Sequence, residues 1–249
     1  MINFLIALAA GALAAVLIHA SHVFGSSWAI GIAPGTLVTA GIYVVLARRI
    51  ATQVQKLAEQ AQGALQGVRT EKDRVPALDK AIKIFESAMP LSRWQFFIGR
   101  EIDANVGILK YMKRDYGNAK PHLEKALSRN WMAKTYLGCI EFQGKNEAAM
   151  KEAFEAAVTG AGKKEAIAWA TYAWCLESLK QHDAAISVAA RATTENPSEE
   201  KLKKLQNQLQ NNKRLKMNSF EPMWWQFALE KPPMEMTQPR VRFQRGRRF

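Results

Sequence analysis

HDAAISVAARATTENP, residues 182–197, is the stretch that decides the fold. Ala185, Ala189 and Ala192 fall on one face of a helix, and Pro197 closes it. Two earlier segments repeat the plan. YGNAKPHLEKAL (Tyr116–Leu127) carries Ala119, Leu123 and Ala126, and NEAAMKEAFEAAV (Asn146–Val158) carries Met150, Phe154 and Ala157. A further apolar helix pattern precedes each copy, with a small residue within it: Gly107, Gly138 and Ala173. The copies are displaced by 31 and then by 35 residues. A partial earlier copy, Ala81, Phe85 and Ala88, stops at Pro90. From Ile50 to about Leu215 no stretch of period-2 alternation suggests a sheet. Self-similarity at this period predicts helix pairs that stack, because one pair alone cannot bury its apolar face.

These residues resemble the tetratricopeptide repeat family, in which each repeat is two antiparallel helices. YLG at Tyr136–Gly138 matches the family's first helix, and the three quoted segments match its second. The resemblance covers roughly residues 62–199. Met150 stands where Ala is usual, and the 31-residue spacing is short. The resemblance implies an all-α chain whose residues 76–199 form a TPR-like α-solenoid of about three to four helix pairs. Residues 200–215 would cap it, with Leu202, Leu205 and Leu209 along one stripe. It also implies peptide capture on a groove formed by first helices. Carried over, the partner-binding residues are Ile108, Tyr111, Met112, Met132, Thr135, Phe142, Ile167 and Trp174. The best-known subtype clamps a C-terminal carboxylate with Lys, Asn and Arg. Here Glu, Ala, Ile, Met and Thr stand at those places, so an apolar helix or extended segment is the expected protein partner.

The start of the chain has a different chemistry. The formal charge is +13, from 35 Lys and Arg against 22 Asp and Glu, yet residues 1–47 carry none of them. INFLIALAAGALAAVLIHA (Ile2–Ala20) and WAIGIAPGTLVTAGIYVVLA (Trp28–Ala47) are each close to the ~20 residues that cross a bilayer as a helix. They predict a transmembrane helical hairpin at 1–49, followed by a linker helix at 50–75. A cleaved signal peptide is the rival for the first run, but its usual basic n-region is missing. Arg48 and Arg49 follow the second run, which sets the N-terminus, the repeats and the C-terminus on the cytoplasmic side; in a bacterium this is the inner membrane. Ala7, Gly11 and Ala15 are four apart, as are Gly31 and Gly35, which gives a close-packing seam within the chain or between copies. Pro34 is expected to kink the second helix.

Catalytic patterns are missing. There is no G-x-G-x-x-G, G-x-x-x-x-G-K-[ST], H-E-x-x-H or C-x-x-C, and two cysteines exclude a disulfide framework. Cys139 and Cys175 lie within first helices and read as buried thiols, and His122 and His182 as surface or packing residues. The chain is expected to be no enzyme, with no cofactor and no metal.

Residues 216–249 form an irregular, proline- and arginine-rich tail. Residues 213–249 hold nine Lys and Arg, three Glu and four of the nine prolines. Met223–Leu229, MWWQFAL, has no repeat position and reads as a short helix docked either on the helical array or on a partner, with Trp224 and Trp225 as contacts. Arg240, Arg242, Arg245, Arg247 and Arg248 end the chain. They suit an acidic patch on a protein, anionic membrane lipid, RNA or plain solvent. The sequence therefore favours a membrane-anchored adaptor that binds protein, with a membrane tether for RNA, a ribosome or anionic lipid as the alternative. A homo-oligomer through the hairpin is a third expectation.

Overall fold

A computed structural model describes residues 1–21, 28–66, 68, 71–161 and 165–231. Among the described residues the chain is all-helical, with no strand. It divides into two compact units, Met1–Lys134 and Thr135–Phe249.

The first unit opens with α1 (Ile2–Ala20) and α2 (Trp28–Gln66). Both are long and apolar enough to cross a membrane by length and composition. Their apolar side chains mostly face outward: Leu5, Leu13, Leu17 and Leu37 are exposed. The small-residue seam lies between these two helices of one chain. A Cβ added to Gly11 would stand 2.5 Å from the Gly35 carbonyl oxygen, and one on Gly31 would stand 2.6 Å from that of Ala15. Backbones come this close only where side chains are missing. α2 is one helix of 39 residues that continues through Pro34 and past Arg49. The stretch expected as a linker is thus shared between the end of α2 and the start of α3 (Glu71–Ser87).

The C-terminal half of that long helix has an ordinary packing role. Ala61 on α2, Leu78, Ala81, Ile82 and Phe85 on α3, and Ile102, Val106 and Leu109 on α4 (Ile98–Met112) form one buried cluster. Each such Leu, Ile or Phe contributes about 1.5–3 kcal/mol on burial. A 3₁₀ turn at Met89–Arg93 leads from α3 toward α4. α4 then pairs with α5 (Tyr116–Lys125). Gly107 lets them cross closely, since a Cβ there would lie 2.8 Å from the Leu123 side chain. α6 (Trp131–Gln143) begins in this unit, and Asn130 Oδ1 caps it by accepting from the Ala133 N–H at 3.1 Å.

The second unit holds the rest of α6, then α7 (Glu147–Ala161), α8 (Ala166–Ser178), α9 (His182–Glu195) and α10 (Glu200–Gln210). A Cβ on Gly138 would lie 2.8 Å from the Phe154 ring, which repeats the small-against-bulky crossing. Phe154 stacks in turn on Tyr172, with centroids 5.1 Å apart. α8 is buried nearly all round, from Ile167 to Ala173 and at Cys175 and Leu176, so it is the central helix of the unit. α10 buries Leu202, Leu205 and Leu209, as their stripe predicts.

One backbone feature recurs with the repeat. Arg114, Lys145 and Lys180 each follow a first helix and each has positive φ, at 67°, 57° and 61°. Around Arg114 the Asp115 N–H donates to the Lys110 carbonyl and the Arg114 N–H to that of Tyr111. The other two turns repeat these bonds. This is the Schellman arrangement that ends a helix sharply and reverses the chain. Glycine is its usual residue, and none of the three positions has one, so the usual marker of this turn is missing at all three.

Candidate protein-binding site

In the second unit α6 and α8 are the first helices of successive pairs, and they present rings on a common face. Phe142 and Trp174 meet edge to face, with centroids 5.8 Å apart. Tyr136 lies six residues before Phe142 on α6 and is 1% exposed. This face is filled by the chain's own C-terminal segment. After α10, Leu215 and a 3₁₀ turn at Met217–Phe220 lead into α11 (Met223–Gln226). Trp224 packs on Trp174 at 5.2 Å, and Phe227 packs on Tyr136 at 5.0 Å. Trp224 is 1% exposed and Phe227 0%. Two polar bonds fix the pose: Tyr136 Oη donates to Gln226 Oε1 at 3.3 Å, and Trp224 Nε1 donates to Glu230 Oε2 at 3.1 Å. Burial pushes the Tyr136 phenol well above its ordinary pKa, so it stays a neutral donor.

The rim of this seat is charged. A cleft of about 430 Å³ beside it is lined by Trp174, Glu177, Ser178, Arg214 and Glu230, among others. Glu177 accepts from His182 Nδ1 at 2.8 Å, and Arg214 stands 3.7 Å from Glu230. The seat thus combines aromatic faces for ring-bearing side chains with carboxylates at its edge.

The residues expected to line a groove fall into three groups. Phe142 and Trp174 lie on the aromatic face just described. Ile108, Met112 and Met132 belong to the first unit and are partly exposed there. Tyr111, Thr135 and Ile167 are buried and offer no open surface; the Tyr111 ring packs on Tyr116 at 4.9 Å. Of the tail contacts, Trp224 is seated as described and Trp225 is partly buried beside it. Arg240, Arg242, Arg245, Arg247 and Arg248 lie outside the described residues. Sequence reasoning missed Tyr136 and Phe227. The available signal was the three-residue spacing of Trp224 and Phe227, which places both rings on one side of a helical turn.

Reactive groups elsewhere serve structure. Cys139 and Cys175 are buried free thiols, and burial holds the Cys175 thiol well above its usual pKa, the reverse of what a nucleophile needs. His122 Nδ1 lies 2.7 Å from Asp103 Oδ1 and ties α5 to α4. A cleft of about 580 Å³ lies along α7, α8 and α9, with Trp169 and Arg191 in its wall. The Arg191 guanidinium is committed to Glu155, 2.9 Å from each carboxylate oxygen, and lies over the Trp169 ring. Among the described residues no group of three or more His, Cys, Asp or Glu could hold a metal.

Comparison with family models matches residues 166–199 to the tetratricopeptide repeat. Comparison with curated proteins and with solved structures finds no match. The matched range begins with the first residue of α8, contains all of α9 and runs just past Pro197. The helix pair that ends in HDAAISVAARATTENP is the part of the chain that is similar to a tetratricopeptide repeat.

Proposed function

We propose that the chain is a non-catalytic, membrane-anchored adaptor that holds a protein partner on the cytoplasmic side and helps assemble a membrane complex. Tetratricopeptide repeats generally bind protein partners. The observation that supports the reading best is the aromatic face of α6 and α8, which already seats a Trp and a Phe from a short helix. Its chemistry suits a partner segment with aromatic anchors three residues apart, because stacked rings gain more than their buried area alone. α1 and the apolar half of α2 supply the anchor. Arg48 and Arg49 supply the orientation.

Crosslinking in intact cells, followed by mass spectrometry of the membrane fraction, tests this. The expected result is protein adducts that map to residues 100–177. Recovery of the chain in the membrane with no protein adduct in that range would sink the adaptor reading.

A further inference from the structure

The loop between α3 and α4 carries an exposed aromatic cluster that the repeat fold does not need. In SRWQFFIGR, Ser92–Arg100, Trp94 is 42% exposed, Phe96 38% and Phe97 56%. A soluble helical surface seldom groups three large aromatics in four residues. Phe97 also has a left-handed backbone, φ 67°, which bulky residues rarely adopt.

The loop's position gives the cluster a meaning. It is tied to the ends of both apolar helices at the same level. The Met1 ammonium donates to the Arg93 carbonyl at 2.9 Å, and the Asn3 N–H donates to that of Trp94 at 3.1 Å. Asn3 is 2% exposed, and its Nδ2 donates to the Leu46 carbonyl at 3.4 Å. Gln95 Nε2 donates to Tyr43 Oη at 2.7 Å. The Phe4 ring meets both Tyr43 and Phe96, each at 6.1 Å. Met1 immediately precedes the first apolar run, and Leu46 stands two residues before Arg48, where the second run gives way to charge. The loop is therefore held where both spans would leave the hydrocarbon.

The surrounding charge is of one sign within the loop. Arg93 and Arg100 flank the aromatics and are exposed, as are Arg48 and Arg49 on α2. Arg129 lies over the Phe97 ring at 5.8 Å. The nearest acid in sequence, Glu101, accepts from Asn130 Nδ2 at 3.4 Å. Trp and Phe among arginines at the end of a span match the headgroup layer, whose cytoplasmic leaflet is anionic.

We infer that Trp94, Phe96 and Phe97 enter the headgroup layer of the bilayer that α1 and α2 span, with Arg93, Arg100, Arg48 and Arg49 on anionic headgroups. The inference rests on the reading of α1 and α2 as spans. The loop then pins the first helix pair of the array to the membrane surface as a third contact.

The test uses the full chain in vesicles of phosphatidylcholine with and without phosphatidylglycerol. An environment-sensitive fluorophore is placed at single engineered cysteines, Phe97→Cys, Leu13→Cys and Lys125→Cys, while the buried Cys139 and Cys175 set the unlabelled background. Brominated lipids report depth. The expected result is a blue-shifted label at 97, quenched more by shallow than by deep bromines, and more so with phosphatidylglycerol. The label at 13 would be quenched by deep bromines and the label at 125 by neither. A lipid-exposed 13 with an aqueous 97 overturns the inference and leaves the spans standing. Aqueous labels at both overturn the inference and the spans together. Hydroxyl-radical footprinting of the unsubstituted chain in the same vesicles needs no variant: protection of Trp94, Phe96 and Phe97 supports the inference, and free oxidation overturns it.

Discussion

Trp224→Ala should release the C-terminal segment from the aromatic face while leaving the repeat beneath it folded. The ring is 1% exposed, packs on Trp174 at 5.2 Å and on Phe227 at 6.5 Å, and bonds Glu230 through Nε1. Truncating a fully buried Trp costs about 3–5 kcal/mol. At ~1.4 kcal/mol per factor of ten, that is about a hundred-fold to several-thousand-fold in the equilibrium for local opening. α11 is a single helical turn that packs on the 3₁₀ turn at Met217–Phe220 and on α8, and Trp224 is the largest of its buried side chains. Hydrogen exchange read by mass spectrometry should show amide protection at 217–230 falling by at least a hundred-fold. Protection in α8 and α9 should hold, because the two helices pack on each other and bury Ala173, Ala185, Ala189 and Ala192. Loss of less than ten-fold at 217–230 would refute the claim that Trp224 anchors the segment. Equal loss through α8 and α9 would show that the segment is core of the unit and not a docked ligand.

The repeat crossings make a contrasting pair: Gly138→Ala places a methyl 2.8 Å from Phe154 and should cost ~1–3 kcal/mol in a urea titration, whereas Gly63→Ala meets nothing within 4 Å and should gain up to about 1 kcal/mol. Lys145→Gly should raise stability by ~1 kcal/mol, because glycine removes the strain of φ 57° at the end of α6; a loss on thermal melting would contradict the turn geometry. Bonds from Arg191 hold the Glu155 carboxyl below its ordinary value of 4.5, so the pair stabilises above about pH 4.5 and the effect is lost as pH falls through the lowered value. Both side chains are two-fifths or more exposed, so Glu155→Gln should cost no more than ~1 kcal/mol near neutral pH and nothing once the carboxyl is protonated; an equal cost at both ends of an acid titration would refute the assignment. Gly11→Leu should separate α1 from α2, since even a Cβ there falls 2.5 Å from the Gly35 carbonyl, and detergent-phase melting of the hairpin should drop accordingly.

The helix pairs were legible because their signal is local. Gly107 with Leu123 and Gly138 with Phe154 are small and bulky residues at fixed offsets, and the structure sets each pair in contact. The hairpin seam was legible for the same reason, down to Gly11 and Gly35. The reversing turns were not, because Arg114, Lys145 and Lys180 take a backbone conformation whose usual marker is glycine. The occupied face was only half legible. An aromatic helix without a repeat position says that a surface must cover it, but only three-dimensional placement says that Tyr136 and Trp174 do so. The aromatic loop was the hardest case. Nothing in the linear order of Trp94, Phe96 and Phe97 marks them as exposed, and their exposure emerges only when the loop is seen tied to Met1, Asn3 and Tyr43.

The central claim, a membrane-held adaptor that binds protein through the aromatic face of α6 and α8, is tested most directly at that face in living cells. A benzophenone amino acid replaces Phe142 in the full chain, and adducts after illumination are compared between the otherwise unsubstituted chain and its Trp224→Ala form. The account predicts a discrete protein adduct in the membrane fraction that increases when the segment is released. A self-adduct alone in both forms, with no second protein, would contradict it.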